Sequence, residues 1–444
     1  MFAWVIPRLA LSAHISLPQT ILREITSQEW ERLRKYGSWM RELKFLEDED
    51  EISQDAFDIL LRSPHSKLLC SRLLKLSWIA DPVFGGDFIP FLSPQLRDVR
   101  LASRPGTLFP FPHAISALPV SSLESLRLSI VGDELVKEAI ISIFRDCGKS
   151  LMTLEVSRMD QLRDGSWCRI MLLPRLRHLE TDQSPPTTFP PCLPIFFPSL
   201  RQVTLRGPSA SEWIPFLAKA SMQKVPSDTG TQPRRAAPYL LRLHCDHTVE
   251  LDVLFISHFR VFQNLSMLFL GNGCSRATTC KFHLTDEDIS RLAMELPRLR
   301  DLSLGAPCSR NTCSTTIISL LALSTHCKGL RMLCIHFNTR RLARDVWDSL
   351  HHPLRHNSHP PSRCPLTVLD VGLIPLTVEA LGEDVFTSLA GLVDIFPGLE
   401  RIRYYTFSSH ASWGWRQFTL QIPNFQEMRK SLPAVFVQEP CGNH

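Results

Sequence analysis

Residues 296–304 read Leu-Pro-Arg-Leu-Arg-Asp-Leu-Ser-Leu, and near-copies of that string recur along most of the 444-residue chain. They stand as LPRLRHLE from Leu173, FPSLRQVTL from Phe197, FQNLSMLFL from Phe262, CKGLRMLCI from Cys327 and FPGLERIRY from Phe396. Looser copies begin at Pro94, Ser121, Cys147 and Arg363. Each reads as the end of a helix, a stop such as Pro297, and a short strand carrying Leu-x-x-Leu-x-Leu. One such unit cannot bury its apolar side alone, so units must stack, and the chain must form an array.

Strands are expected to begin at Met40, Ser71, Leu96, Leu123, Leu151, Leu176, Leu200, Pro238, Leu265, Leu299, Leu330, Leu366 and Leu399. From Ser71 to Leu200 the five intervals are 24 to 28 residues, and later ones are 27 to 38. The first set matches the period of about 20–29 residues of leucine-rich repeats. The predicted fold class is therefore α/β, a leucine-rich-repeat solenoid or horseshoe of about 13 irregular strand–helix units, with parallel strands on the concave face. Alternation along a strand sends Leu302 and Leu304 into the core and Asp301 and Ser303 out of the concave face. Apolar residues at helical spacing place convex-side helices over 135–144 and 286–296. The longer intervals hold polar stretches at 225–238, 271–283, 305–315 and 351–365, which read as loops. The Asn or Cys common at the ninth motif position is missing, with Gly273 and Pro307 at two such places. That predicts an irregular array of variable curvature. The division expected is 1–36 as an N-terminal helical cap or F-box remnant, 37–405 as solenoid and 406–444 as a C-terminal cap, sealed by Trp413 and Trp415.

Hydrophobic residues make up 44% and charged residues 21%, a globular composition. A net charge of +5 over this length argues against a general nucleic-acid binder. No run of 18 apolar residues is present, so no membrane span is expected. Arg8 and His14 interrupt the moderately apolar first 20 residues, against a signal peptide. The 13 cysteines show no paired spacing, and Cys147, Cys327 and Cys334 stand where a repeat favours a small apolar side chain. Free thiols in a reducing compartment, cytoplasm and/or nucleus, are the expectation.

The stretch from Ser27 to Leu101 runs SQEWERLRKYGSWMRELKF, DAFDILLRSP, LLKLSW and FIPFLSPQLRDVRL. With Tyr36 before the first strand, Leu76-Ser77-Trp78 in the second and Phe91-Leu92-Ser93-Pro94 at the turn, it resembles the fungal F-box and leucine-rich-repeat proteins. The resemblance implies a substrate-recognition component of an SCF-type ubiquitin ligase. An F-box, the family's usual start, would dock a Skp-type adaptor. Leu17-Pro18 and the segment to Ile25 look like an F-box start, but the later F-box helices and their tryptophan do not follow. The expectation is an F-box missing or truncated, and a Skp-type adaptor as partner only if an F-box lies upstream. An F-box-less binding or decoy protein and an unrecognised enzyme are the alternatives.

No Gly-x-Ser-x-Gly, His-Glu-x-x-His, P-loop or dinucleotide glycine motif occurs, so no enzyme and no cofactor are expected. His244-Cys245-Asp246-His247 and the group His351, His352, His356, His359 and Cys364 lack the cysteine pair a tetrahedral zinc site needs, so no metal is expected. Cys274 with Cys280, and Cys308 with Cys313, read as loop thiols, and the acidic run 47–51 as a solvated loop. Outward strand positions supply the candidate partner-binding face: Lys44, Lys75, Arg100 and Arg127, then Glu155 and Glu180, then Arg242, Met267, Phe269, Met332 and Cys334. The expected occupant is a protein substrate with an acidic segment over the first four units and an apolar anchor near Phe269.

Overall fold

The computed structural model describes residues 26–45, 69–80, 88–103, 109, 112–132, 134–147, 149–158, 162, 164–187, 195–207, 210–222, 224–225, 232–233, 235–236, 239–245, 252–270, 283–304, 314–335, 337, 364–372, 392–393, 395–404, 416 and 419–427. Two compact units are present: Met1–Arg201 with Gln223–Pro238, and Gln202–Met222 with Tyr239–His444. Each is an α/β leucine-rich-repeat solenoid.

In the first unit six strands pair in parallel and in chain order: β1 (Glu42–Phe45), β2 (Lys75–Ala80), β3 (Asp98–Ser103), β4 (Ser125–Ser129), β5 (Thr153–Ser157) and β6 (His178–Thr181). A capping box forms at Thr26: the Thr26 hydroxyl accepts from the Glu29 amide, and the Glu29 carboxylate accepts from the Thr26 amide. Helix α1 (Ser27–Gly37) then buries Trp30 and Leu33. Behind the sheet lie α2 (Pro112–Ser116), α3 (Glu134–Asp146) and α4 (Asp164–Met171). Trp78 packs against the rings of Phe88 and Phe91, at 6.0 and 5.8 Å between centroids.

The second unit has seven parallel strands: β7 (Gln202–Leu205), β8 (Arg242–Cys245), β9 (Met267–Leu270), β10 (Asp301–Leu304), β11 (Met332–Ile335), β12 (Val368–Gly372) and β13 (Arg401–Tyr404). Its helices include α5 (Ala210–Met222), α6 (Val253–Ser257), α7 (Asp286–Glu295) and α8 (Ile317–His326). Helix α3 covers the predicted span 135–144, and α7 covers 286–295 of the predicted 286–296, with Leu296 as its C-cap.

Pro297 and Pro397 stand at one recurrent turn. In Leu296-Pro297-Arg298-Leu299 the Leu299 amide donates to the Leu296 carbonyl at 3.2 Å, and Leu399 with Phe396 repeats this at 3.0 Å. Proline presets φ for the second residue of such a turn. Just before each strand, one carbonyl accepts two amides of the next unit: Arg97 from Glu124 and Ser125, Arg300 from Arg331 and Met332. Serines add cross-unit bonds in the first unit, with the hydroxyls of Ser93, Ser122 and Ser150 donating to the carbonyls of Ser71, Leu96 and Val120.

Two strand starts differ from expectation. Leu73 and Leu240, buried in the core, hold the first motif position, two residues after Ser71 and Pro238. The stretch 225–238, read as loop, takes part in short pairings: Lys224–Val225 runs antiparallel to Gln232–Pro233, and Arg235–Ala236 parallel to Ile195–Phe196. Most of the other three inserts, residues 1–25 and 46–68, both loop cysteine pairs, His247, the four histidines at 351–359, and Trp413 and Trp415 lie outside the described residues.

Candidate protein-binding face

Strand register sorts the side chains opposite the helices into two rows per unit. In the first unit one row is Lys44, Ser77, Arg100, Arg127, Glu155 and Glu180, and its neighbour is Glu42, Lys75, Asp98, Ser125, Thr153 and His178. Lys75 thus faces out as expected but stands one row away from Lys44 and Arg100, between Glu42 and Asp98. The basic run is interrupted at Ser77 and balanced across the rows, and Lys44 pairs with Glu42 at 3.1 Å. At the far end His178 Nε2 lies 3.9 Å from a Glu180 carboxylate oxygen. Burial, reinforced by the Arg127 charge and opposed by Glu155, holds the imidazole below its ordinary pKa.

In the second unit one row is Thr204, His244, Phe269, Ser303, Cys334, Asp370 and Arg403, and the other is Gln202, Arg242, Met267, Asp301, Met332, Val368 and Arg401. Arg242 also faces out but belongs to the row of Met267, and His244 stands beside Phe269. The His244 ring meets Phe269 edge-on, with centroids 5.8 Å apart. Met267 and Phe269 on one side of β10, and Met332, Cys334 and Val368 on the other, are half-buried, with Asp301 and Ser303 between the two groups, exposed Arg242 and His244 before them and exposed Arg401 and Arg403 after them. Residues missed as members of this patch are His244, Val368 and Asp301. Their signal was the motif position just before the central leucine or the one just after it, read in every unit.

Asp301 sits between the two methionines. Its carboxylate makes no side-chain hydrogen bond or ion pair among the described residues. Burial raises its pKa above the ordinary carboxylate range despite the opposing charges of Arg331, Arg242 and Arg300. A raised pKa means that ionisation costs more in the fold than in the unfolded chain. The resulting stability is present at acid pH and is lost as pH rises through the folded pKa. Asp301→Asn is therefore expected to raise the unfolding midpoint at neutral pH, with the gain vanishing in acid. Thermal melts at both pH values check this, and an equal effect at both would contradict it.

Burial pushes the Cys334 thiol up to about 12, so it is a poor nucleophile at neutral pH. His244 faces out while Cys245 is buried on the helix side, so these neighbours cannot converge on one metal ion. Among the described residues no group of three or more His, Cys, Asp or Glu is placed to hold one. No helix among them is long and apolar enough to cross a membrane.

No family model and no curated protein matches the chain. Among solved structures, the chain is similar to one in a crystal structure of the Rad7 and Elc1 complex in yeast. That likeness has 17% identity and a TM-score of 0.38, and covers 78% of this chain and 82% of the other.

Proposed function

We propose that this protein is a non-enzymatic scaffold that holds a protein partner on the sheet face opposite its helices. The reading is carried by the outward Met267, Phe269, Met332 and Cys334 of the second unit, since apolar side chains grouped on an outer face, here on either side of Asp301 and Ser303, mark a partner site. In the first unit Lys44, Lys75, Arg100 and Arg127 would take an acidic stretch of the partner, with Glu155 and Glu180 ending it. The resemblance to fungal F-box and leucine-rich-repeat proteins gives the role as substrate selection for an SCF-type ubiquitin ligase, the segments flanking the array serving as caps or an F-box remnant. An F-box-less binding protein is the second reading. Buried free thiols at Cys70, Cys147, Cys327 and Cys364 favour the cytoplasm or nucleus for either.

With a partner in hand, Phe269→Asp and Met332→Asp are each expected to weaken binding at least about tenfold, because a charge replaces an apolar anchor. Isothermal titration with folding checked by circular dichroism measures this, and unchanged affinity in both variants sinks the docking reading. Co-purification with a Skp-type adaptor separates the two roles: binding supports the ligase reading, and failure of the full native chain to bind favours the F-box-less one.

A further inference from the structure

We infer that the outer face of the second unit selects a partner segment by a fixed order of side chains: an acid, an apolar group, a cation seated on Asp301, a second apolar group and a terminal acid. This rests on the docking reading above and specifies its ligand.

The order follows from strand register. Crossing β8 to β13, the paired positions present Arg242 and His244, Met267 and Phe269, Asp301 and Ser303, Met332 and Cys334, Val368 and Asp370, and Arg401 and Arg403. Neighbouring strands are about 4.8 Å apart, so the sequence spans about 24 Å, within reach of roughly seven extended residues. Exposed arginines bound it at both ends.

Asp301 is the discriminating group. A carboxylate between two methionines, with no side-chain hydrogen bond or ion pair among the described residues, keeps its acceptor capacity while losing hydration. A cation delivered there forms a charge-assisted hydrogen bond in a partly dry site, stronger than a bond between neutral groups. An acid delivered there meets a like charge. Arg300 and Arg331 stand one residue ahead of β10 and β11 and, like Arg242, act on Asp301 by charge without forming an ion pair with it.

Random nine-residue peptides displayed on phage and selected on the full chain test the inference, with winners resynthesised for fluorescence anisotropy. The expected winners carry a lysine or arginine between two apolar residues. Asp301→Asn should weaken them about tenfold, Asp301→Lys should move the central preference to an acid, and Phe269→Asp should abolish binding. Peptides that need Phe269 but carry no central cation, or that ignore Asp301→Lys, overturn the inference and leave the docking reading standing. Selection that yields no Phe269-dependent peptide overturns the docking reading itself. Thermal melts of Asp301→Asn and Asp301→Lys confirm that the proteins compared are folded.

Discussion

Asp286→Ala is expected to lower the unfolding free energy of the second unit by about 2–4 kcal/mol. Asp286 opens α7, yet its carboxylate serves the next helix. One oxygen accepts from the Thr316 amide at 2.7 Å and from the amide and hydroxyl of Ser319, and the other accepts from the Thr316 hydroxyl at 2.7 Å. Thr316 is itself the N-cap of α8, with its hydroxyl accepting from the Ile318 amide. A negative charge at a helix N-terminus satisfies amides that have no partner within the helix and interacts favourably with the helix dipole. Alanine would strand several part-buried donors at once, and stranded donors cost more than a single exchanged bond. Asp286→Asn, which keeps one acceptor oxygen, should lose less. Urea unfolding measures both, and a loss below about 0.5 kcal/mol for alanine would mean that water replaces the carboxylate without penalty. Helices α7 and α8 lead into β10 and β11, which carry Asp301 and Met332, two positions proposed to meet the partner.

Trp213→Ala should cost about 3–5 kcal/mol, the range for removing the largest buried side chains. Trp213 is 0% exposed in α5 and meets Phe216 edge-on at 5.7 Å between centroids. Close-packed interiors collapse only partly around a vacated indole, so lost burial and a residual cavity add. Leu254→Ala is the control: at 71% exposure it should shift stability by less than about 0.5 kcal/mol. Comparable losses in the two variants would contradict the packing described for this unit. Phe216→Ala should also weaken the fold, by less than Trp213→Ala, since Phe216 is only half-buried.

The two slipped strand starts show where sequence reasoning reached its limit. Leu73-Leu74 and Leu240-Leu241 each offer adjacent leucines, so two frames satisfy the same apolar spacing. In the structure Leu73 and Leu240 are core, while Leu74 is half-buried and Leu241 is 37% exposed. A two-residue slip keeps every side chain on its face, because strands alternate with period two. Lys75 and Arg242 were therefore placed outward correctly and in the wrong row. Only pairing removes the ambiguity, through Leu76 beside Val99 and Leu243 beside Leu268.

What the amino-acid order decided alone was everything periodic: the alternation of strand and helix, the leucines of the core, the proline turns and the outward direction of Met267, Phe269, Met332 and Cys334. Those features depend on spacings of a few residues, which chain geometry converts directly into faces. Tertiary structure alone decided which outward side chains stand side by side, and which helix Asp286 caps. Met267, Asp301 and Met332 are more than thirty residues apart in sequence at each step, and become neighbours only through the register of parallel strands. Strand pairing, a lateral relation with no short-range signature, turns separate residues into a surface that can read a partner.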